Sequence, residues 1–168
     1  RLYERNGYLL FVLQELGRVD RLALSFLFER TKGDADVDEA LLISAHMSPP
    51  MRFDDIIYRK LSASSPPFVI VWGLKVLTHY PSDKFLRLLY LLKGHPFWAV
   101  RLHVARALSV FDPLVAMDFL PAFLQDANYL VRLEASKLAV AASQLHGDVL
   151  KSISGEGDHP SKSIVTYL

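Results

Sequence analysis

The chain contains no cysteine. That excludes disulfides, cysteine-ligated zinc and thiol catalysis, and it fixes no compartment. No sign of charge dominates either: 19 Lys and Arg face 18 Asp and Glu, for a net charge of +1. Nucleic-acid modules usually carry a basic stripe or a high pI, so a phosphate-backbone partner is disfavoured. No uncharged apolar run reaches the 18 or more residues of a membrane-spanning helix. The first residues, from Arg1, lack the apolar segment of a signal peptide. Arg1 in place of Met reads as the start of a processed or excised piece, and a cytoplasmic setting is favoured.

Motifs that carry chemistry are missing as well. There is no GxSxG, GxGxxG or Walker-type phosphate loop. His46, His79, His95, His103, His146 and His159 include no pair at the i, i+4 spacing of a helical metal site. They read as solvated or capping histidines. Asp34, Asp36 and Asp38 alternate like the opening of a calcium loop. Glu39 stands where that loop needs glycine, and Ala45 where it needs the bidentate glutamate. An acidic helix start is the expectation. The sequence implies no cofactor, no metal and no catalytic constellation, so the reading is not an enzyme.

What is present is apolar helix. The 168 residues are 51% hydrophobic, enough for one domain with a sizeable core. Leu9, Leu10, Leu13 and Leu16 predict a helix over residues 2–16, ended by Gly17. Asp20 is placed to cap a second, over 21–30, with Leu22, Leu24, Phe26, Leu27 and Phe28 on a broad apolar face. A third is expected over 36–47, its opening acids complementing the helix dipole, and a fourth from 53 or 54 to 61. Residues 68–72 alone would suit a buried strand. The apolar pattern runs on to a stop at Pro81, so a helix over 68–80 is predicted. A sixth helix, 84–93, is expected to bury Phe85, Leu88, Leu89, Leu91 and Leu92. Further helices are predicted over 97–110, 113–124 and 129–145. Pro113 suits a first turn after an Asp cap, and Pro121 should kink its helix. Residues 148–153 suit one more short helix. Residues 154–168 read as a partly flexible tail, and 1–153 as one repeat domain.

Two segments repeat. Val100 to Leu108 reads VRLHVARAL, and 31 positions later Val131 to Ala139 reads VRLEASKLA. Each puts a Val-Arg pair on the first turn and small or apolar residues four, five, seven and eight positions on. The paired helices begin roughly 30 to 34 residues apart, the spacing of helical-repeat stacks. One pair cannot bury its apolar face alone, so stacked neighbours bury it for each other.

These residues resemble the HEAT-like repeat, most strongly over residues 95–145. His95-Pro96 leads Val100-Arg101, followed by Ala105, Ala107 and Leu108. Leu124, Asp126 and Asn128 lead Val131-Arg132. The unit over 68–93 matches in spacing but has Ile70 where the arginine would fall. The resemblance implies an all-α, right-handed α-solenoid of about five stacked helix pairs. It also implies an inter-repeat role for Arg101, Asp126 and Arg132: Arg101 would reach Asp126 in the next turn, and Arg132 would need an acid from a following unit. HEAT-like units generally serve as scaffolds for partner proteins. Some act in pigment-attaching lyases, and some helical-repeat relatives bind damaged DNA.

The expected function is therefore a protein-interaction scaffold, with a partner on the concave face made by the second helix of each pair. Lys84, Arg87, Tyr90 and Asp118 are the candidate contact residues. The alternatives are a repeat module cradling a nucleic-acid backbone and an accessory domain of an enzyme. Trp72 and Trp98 read as packing residues, Trp98 the more exposed of the two.

Overall fold

The structure is a computed structural model that describes residues 11, 12, 15, 21–31, 34–47, 49, 53–62 and 64–146. Among these residues it is all-helical, without strands. The elements are α1 (Arg21–Arg30), α2 (Ala35–Met47), α3 (Phe53–Lys60), α4 (Pro67–Leu77), α5 (Asp83–Leu92), α6 (Trp98–Ala107), α7 (Pro113–Ala116), α8 (Leu120–Leu124) and α9 (Tyr129–His146). A 3-10 turn, Leu108–Val110, follows α6. The helix expected over 148–153, the tail over 154–168, the stop at Gly17 and the Asp20 cap lie outside the described residues. None of the described helices is long and apolar enough to cross a membrane. The chain divides into two compact units, residues 1–85 and 86–168, with the boundary inside α5.

In the first unit α1 packs on α2 and α3, and α4 packs on α2 and α3. The acids before α2 act as expected of a helix start. The Asp34 carboxylate accepts the Asp36 and Val37 amides at 3.1 and 3.3 Å, satisfying donors that a first turn leaves free. The 68–72 run is helical. Pro67 fixes the first turn of α4, and Ile70, Leu74, Val76 and Leu77 are fully buried. Gly73 lets α4 approach Leu61, whose Cδ1 would stand 3.0 Å from an added Cβ. Phe28 and Phe53, both buried, meet at 5.3 Å between ring centres.

At the start of α5 the Ser82 hydroxyl accepts the Phe85 amide at 3.2 Å and meets the Tyr58 hydroxyl at 3.2 Å. Two expectations of burial fail for one geometric reason. Phe26 is 54% exposed and Leu91 76% exposed. Leu24 and Phe28 are buried one turn apart on α1, and Phe85, Leu89 and Leu92 hold the buried stripe of α5. At about 100° per residue, Phe26 and Leu91 fall on the opposite side of their helices.

In the second unit α9 packs on α6, α7 and α8. The 31-residue repeat is visible in burial. Val100 and Val131, Val104 and Ala135, Ala105 and Ser136, and Leu108 and Ala139 are all buried. Ala105, Ala135, Ser136 and Ala139 place small side chains among the buried residues where α6 and α9 pack. Ser136 is tolerated because its hydroxyl donates to the Arg132 carbonyl one turn back, at 2.9 Å. Asp112 caps α7 by accepting the Leu114 amide at 2.9 Å, with Pro113 in the first turn. The single kinked helix expected over 113–124 is two short ones. Pro121 has no amide to continue the ladder, so it stands in the first turn of a new helix, α8.

Candidate functional site

The Val-Arg repeat is built on a turn. Before α6, His95 is buried and its Nδ1 accepts the Phe97 amide at 3.1 Å. Before α9, Asp126 stands in the same place, and its Oδ1 accepts the Asn128 amide at 2.8 Å. Each bond closes a small turn that aims the chain into the helix. An arginine then clamps each turn from the helix behind it. Arg101 Nη1 donates to the carbonyls of His95 and Pro96 at 2.7 and 3.0 Å. Arg132 Nη1 donates to those of Asp126 and Ala127 at 2.6 and 3.0 Å. One device is written twice, 31 positions apart.

The two copies are joined. Arg101 Nε and Nη2 donate to the two oxygens of Asp126 at 2.6 and 2.9 Å, a bidentate pair. The Arg101 and Asp126 side chains are 17% and 6% exposed. Burial pushes the Asp126 carboxyl up. The bonds from Arg101 and the Asn128 amide, with the charges of Arg101 and Arg132, outweigh that and hold it below the ordinary carboxylate range. The Asp126 bond raises Arg101 against the opposing effect of burial. Arg132 differs from Arg101 in one respect: its Nε is buried and donates to nothing among the described residues. Its guanidinium lies 5.9 Å from the centre of the Tyr129 ring.

The four candidate contact residues divide between the units. Lys84 is exposed in the first unit, where its ammonium meets Asp55 at 3.0 Å and lies 6.0 Å over the Tyr58 ring. Arg87, Tyr90 and Asp118 are exposed in the second. The Tyr90 hydroxyl donates to Asp118 at 2.5 Å, and its ring packs 4.5 Å from that of the buried Phe119. The Asp118 bond, then burial and the Asp118 charge, push the Tyr90 phenol up. Lys93 lies 5.5 Å over the Tyr90 ring and 5.9 Å over Phe119. On α5, Arg87 lies three residues before Tyr90 and four before Leu91, so the three share a side of the helix. Leu91 escaped sequence reasoning because its type suggests burial and only the angular position of Phe85, Leu89 and Leu92 assigns it outward. Trp98 is 38% exposed and Trp72 half-buried.

Two clusters in the first unit join residues distant in sequence. Lys60 reaches the Phe28 carbonyl, the Thr31 carbonyl at 3.0 Å, the Thr31 hydroxyl and, at 3.7 Å, Asp38. Thr31 in turn donates to Asp38. The lysine thus caps the last carbonyls of α1. Beside it, Asp38, Lys60, Ser62, Ser64 and Ser65 help line a cavity of about 290 Å³. With its ammonium held by these oxygens, Lys60 is a helix cap.

In the second cluster His79 Nε2 and His46 Nδ1 meet at 3.2 Å. Trp72 stands 6.0 Å from His46 and donates its indole N–H to Glu39 at 3.1 Å. Lys75 lies 3.6 Å over the Trp72 ring. One imidazole must donate to the other, so the contact needs at least one neutral ring. Burial, and next the charge of His79, hold His46 below its ordinary value of 6.5, against a bond to the Lys75 backbone. A depressed histidine contributes stability that is present above pH 6.5 and lost as pH falls, because the unfolded chain takes up the proton more readily. The urea midpoint of the first unit is therefore expected to fall modestly between pH 7.5 and pH 5, and the fall to shrink in His46→Asn. Equal slopes in the two proteins would exclude this pair as its source.

No group of three or more His, Asp or Glu that could hold a metal occurs among the described residues. Comparison with family models found no match, and comparison with curated proteins and with solved structures found none either.

Proposed function

We propose that this chain is a helical-repeat interaction module whose α5 ridge binds a segment of a partner protein. The observation that carries the reading is the side of α5 bearing Arg87, Tyr90 and the 76%-exposed Leu91, with Asp118 bonded beside it. Apolar surface framed by both signs of charge suits a mixed protein segment. The repeated turn and its arginine clamp support a stack of equivalent helix pairs, as do the α1–α3 and α2–α4 contacts of the first unit and the α6–α9 contact of the second. In such a stack the second helix of each pair lines the concave face that takes a ligand. Leu91 and Tyr90 would be the anchors, and Arg87 and Asp118 would set register. The near-balanced net charge favours protein over polyphosphate.

The test is affinity capture from native lysate with the unaltered chain and with Leu91→Asp/Arg87→Glu, each with and without nuclease. Both substitutions are at exposed positions, so the fold should persist, which circular dichroism would check. The expected result is a protein partner captured in spite of nuclease and weakened about tenfold or more by the double variant, as loss of anchor residues usually does. Capture abolished by nuclease would replace this reading with nucleic-acid binding. A partner held equally by both proteins would refute the α5 ridge.

A further inference from the structure

His46 and His79 meet because two helices run in register, not because the sequence spaces them as a metal pair. Glu39 and Trp72 form one cross-link between α2 and α4, and His46 and His79 form the next, each seven residues further along its own element. The two elements therefore run side by side in one direction, with two helical turns between the cross-links. α2 ends at Met47 and α4 at Leu77. The imidazoles thus stand at the C-terminal ends of both helices, where the helix dipoles favour positive charge. His79 is exposed and His46 half-buried, so the pair lies at the surface.

His46 Nδ1 and His79 Nε2 are 3.2 Å apart. Two nitrogens bound about 2.0–2.1 Å from one ion stand roughly 2.9 Å apart at a right angle and roughly 3.3 Å apart at the tetrahedral angle. The observed spacing falls within that bite. The ring centres are 5.2 Å apart, closer than two imidazoles joined in line at that nitrogen spacing. The rings are therefore bent off the line between them, as two rings holding one ion must be. A bond to the Lys75 backbone steadies the His46 ring, as backbone carbonyls do for ligating histidines. We propose that His46 Nδ1 and His79 Nε2 together bind one divalent transition-metal ion of the zinc, nickel or copper class. No third His, Asp or Glu joins them among the described residues, so water fills the ion's remaining positions. A metal ligates neutral imidazole, and burial, then the charge of His79, hold His46 below its ordinary value. The Lys75 charge acts against a cation here as it acts against a proton. It therefore selects an ion that bonds through imidazole lone pairs over a hard ion such as calcium or magnesium, which prefers oxygen ligands. Once bound, the ion clasps the ends of α2 and α4. This site rests on neither the repeat reading nor the α5 ridge.

Trp72, with its ring 6.0 Å from that of His46, reports the site. The other tryptophan of the chain is Trp98, so the full 168-residue chain carrying Trp98→Phe has one indole. Nickel, which quenches indole emission at short range, would be titrated into this protein and into the same protein with His46→Asn or His79→Asn. Circular dichroism would check that each is folded. The expected result is saturable quenching by one ion per chain, weakened at least about tenfold by either substitution, since loss of even an outer-shell group weakens a metal site on that scale. Zinc, which does not quench, should restore the emission by competition, and magnesium should not. Zinc should also raise the urea midpoint of the first unit, because it binds the folded form, and leave that of His46→Asn unmoved. Equal quenching in all three proteins would show an adventitious ion only and overturn the site, as would quenching without saturation. Loss in one variant alone would leave a single-histidine contact and overturn the chelate. Displacement by magnesium would overturn the nitrogen-ligand assignment, and a midpoint that zinc does not move would overturn the clasp.

Discussion

Asp126→Ala is expected to destabilise the second unit by about 3 kcal/mol, within the range for removing one partner of a buried, hydrogen-bonded ion pair. Three bonds end on this carboxylate, two from Arg101 and one from the Asn128 amide. Its removal strands Arg101 Nε and Nη2, on a side chain only 17% exposed, and opens the turn that starts α9. Asp126→Asn keeps the turn bond and loses the charge, so it should cost less, about 1–2 kcal/mol. Urea unfolding followed by amide exchange in α6 and α9 would separate the two. A loss below about 0.5 kcal/mol in Asp126→Ala, the scale of an ordinary surface change, would mean that the pair does not hold these helices. The same carboxylate predicts an acid response. Its value is depressed from 3.8, so its contribution is complete above that pH and lost as pH falls below it. Asp126→Ala should therefore lose less stability than the unaltered chain on going from pH 5 to pH 2.

The second large effect is expected at Phe119. Its side chain is fully buried, 4.5 Å from the Tyr90 ring and 6.0 Å from Phe123. Phe119→Ala removes a ring from a packed core and leaves a cavity, typically at a cost of 3–5 kcal/mol. Phe119→Leu keeps most of the volume and should cost about 1.5 kcal/mol or less. Tyr90 rests on this ring, with Asp118 as its other hold. Phe119→Ala should therefore loosen the proposed binding ridge even in the fraction that stays folded. Equilibrium unfolding would measure the first effect and nuclear relaxation at Tyr90 the second. If alanine and leucine cost the same, the ring does not fill the core as the geometry indicates.

The residues explain why some of this was legible in the sequence. Helix formation depends on neighbours within a turn or two, so the period of apolar residues, the Asp112-Pro113 start and the acids before α2 suffice to place elements. The repeat was legible because Val-Arg and the small residues behind it recur at one interval. Pro121 marked a disturbance, but whether the helix bends or restarts depends on what packs around it, and here it restarts as α8. Leu91 and Phe26 went astray because residue type was read without its angle about the helix.

By itself, then, the sequence determined the all-helical character of the described residues, the approximate extent of most of their helices and the recurrence of Val-Arg with small residues behind it at one interval. All of these follow from interactions local in the chain. Only the tertiary structure decided the meeting of His46 with His79, the capping of α1 by Lys60, the Tyr90–Asp118 bond and the unpaired Nε of Arg132. The three contacts join residues roughly 28 to 33 positions apart, and no local rule fixes how two helices at that separation are set against each other. That setting comes from packing of buried faces, and with it comes the choice of which side of α5 is covered and which is left exposed.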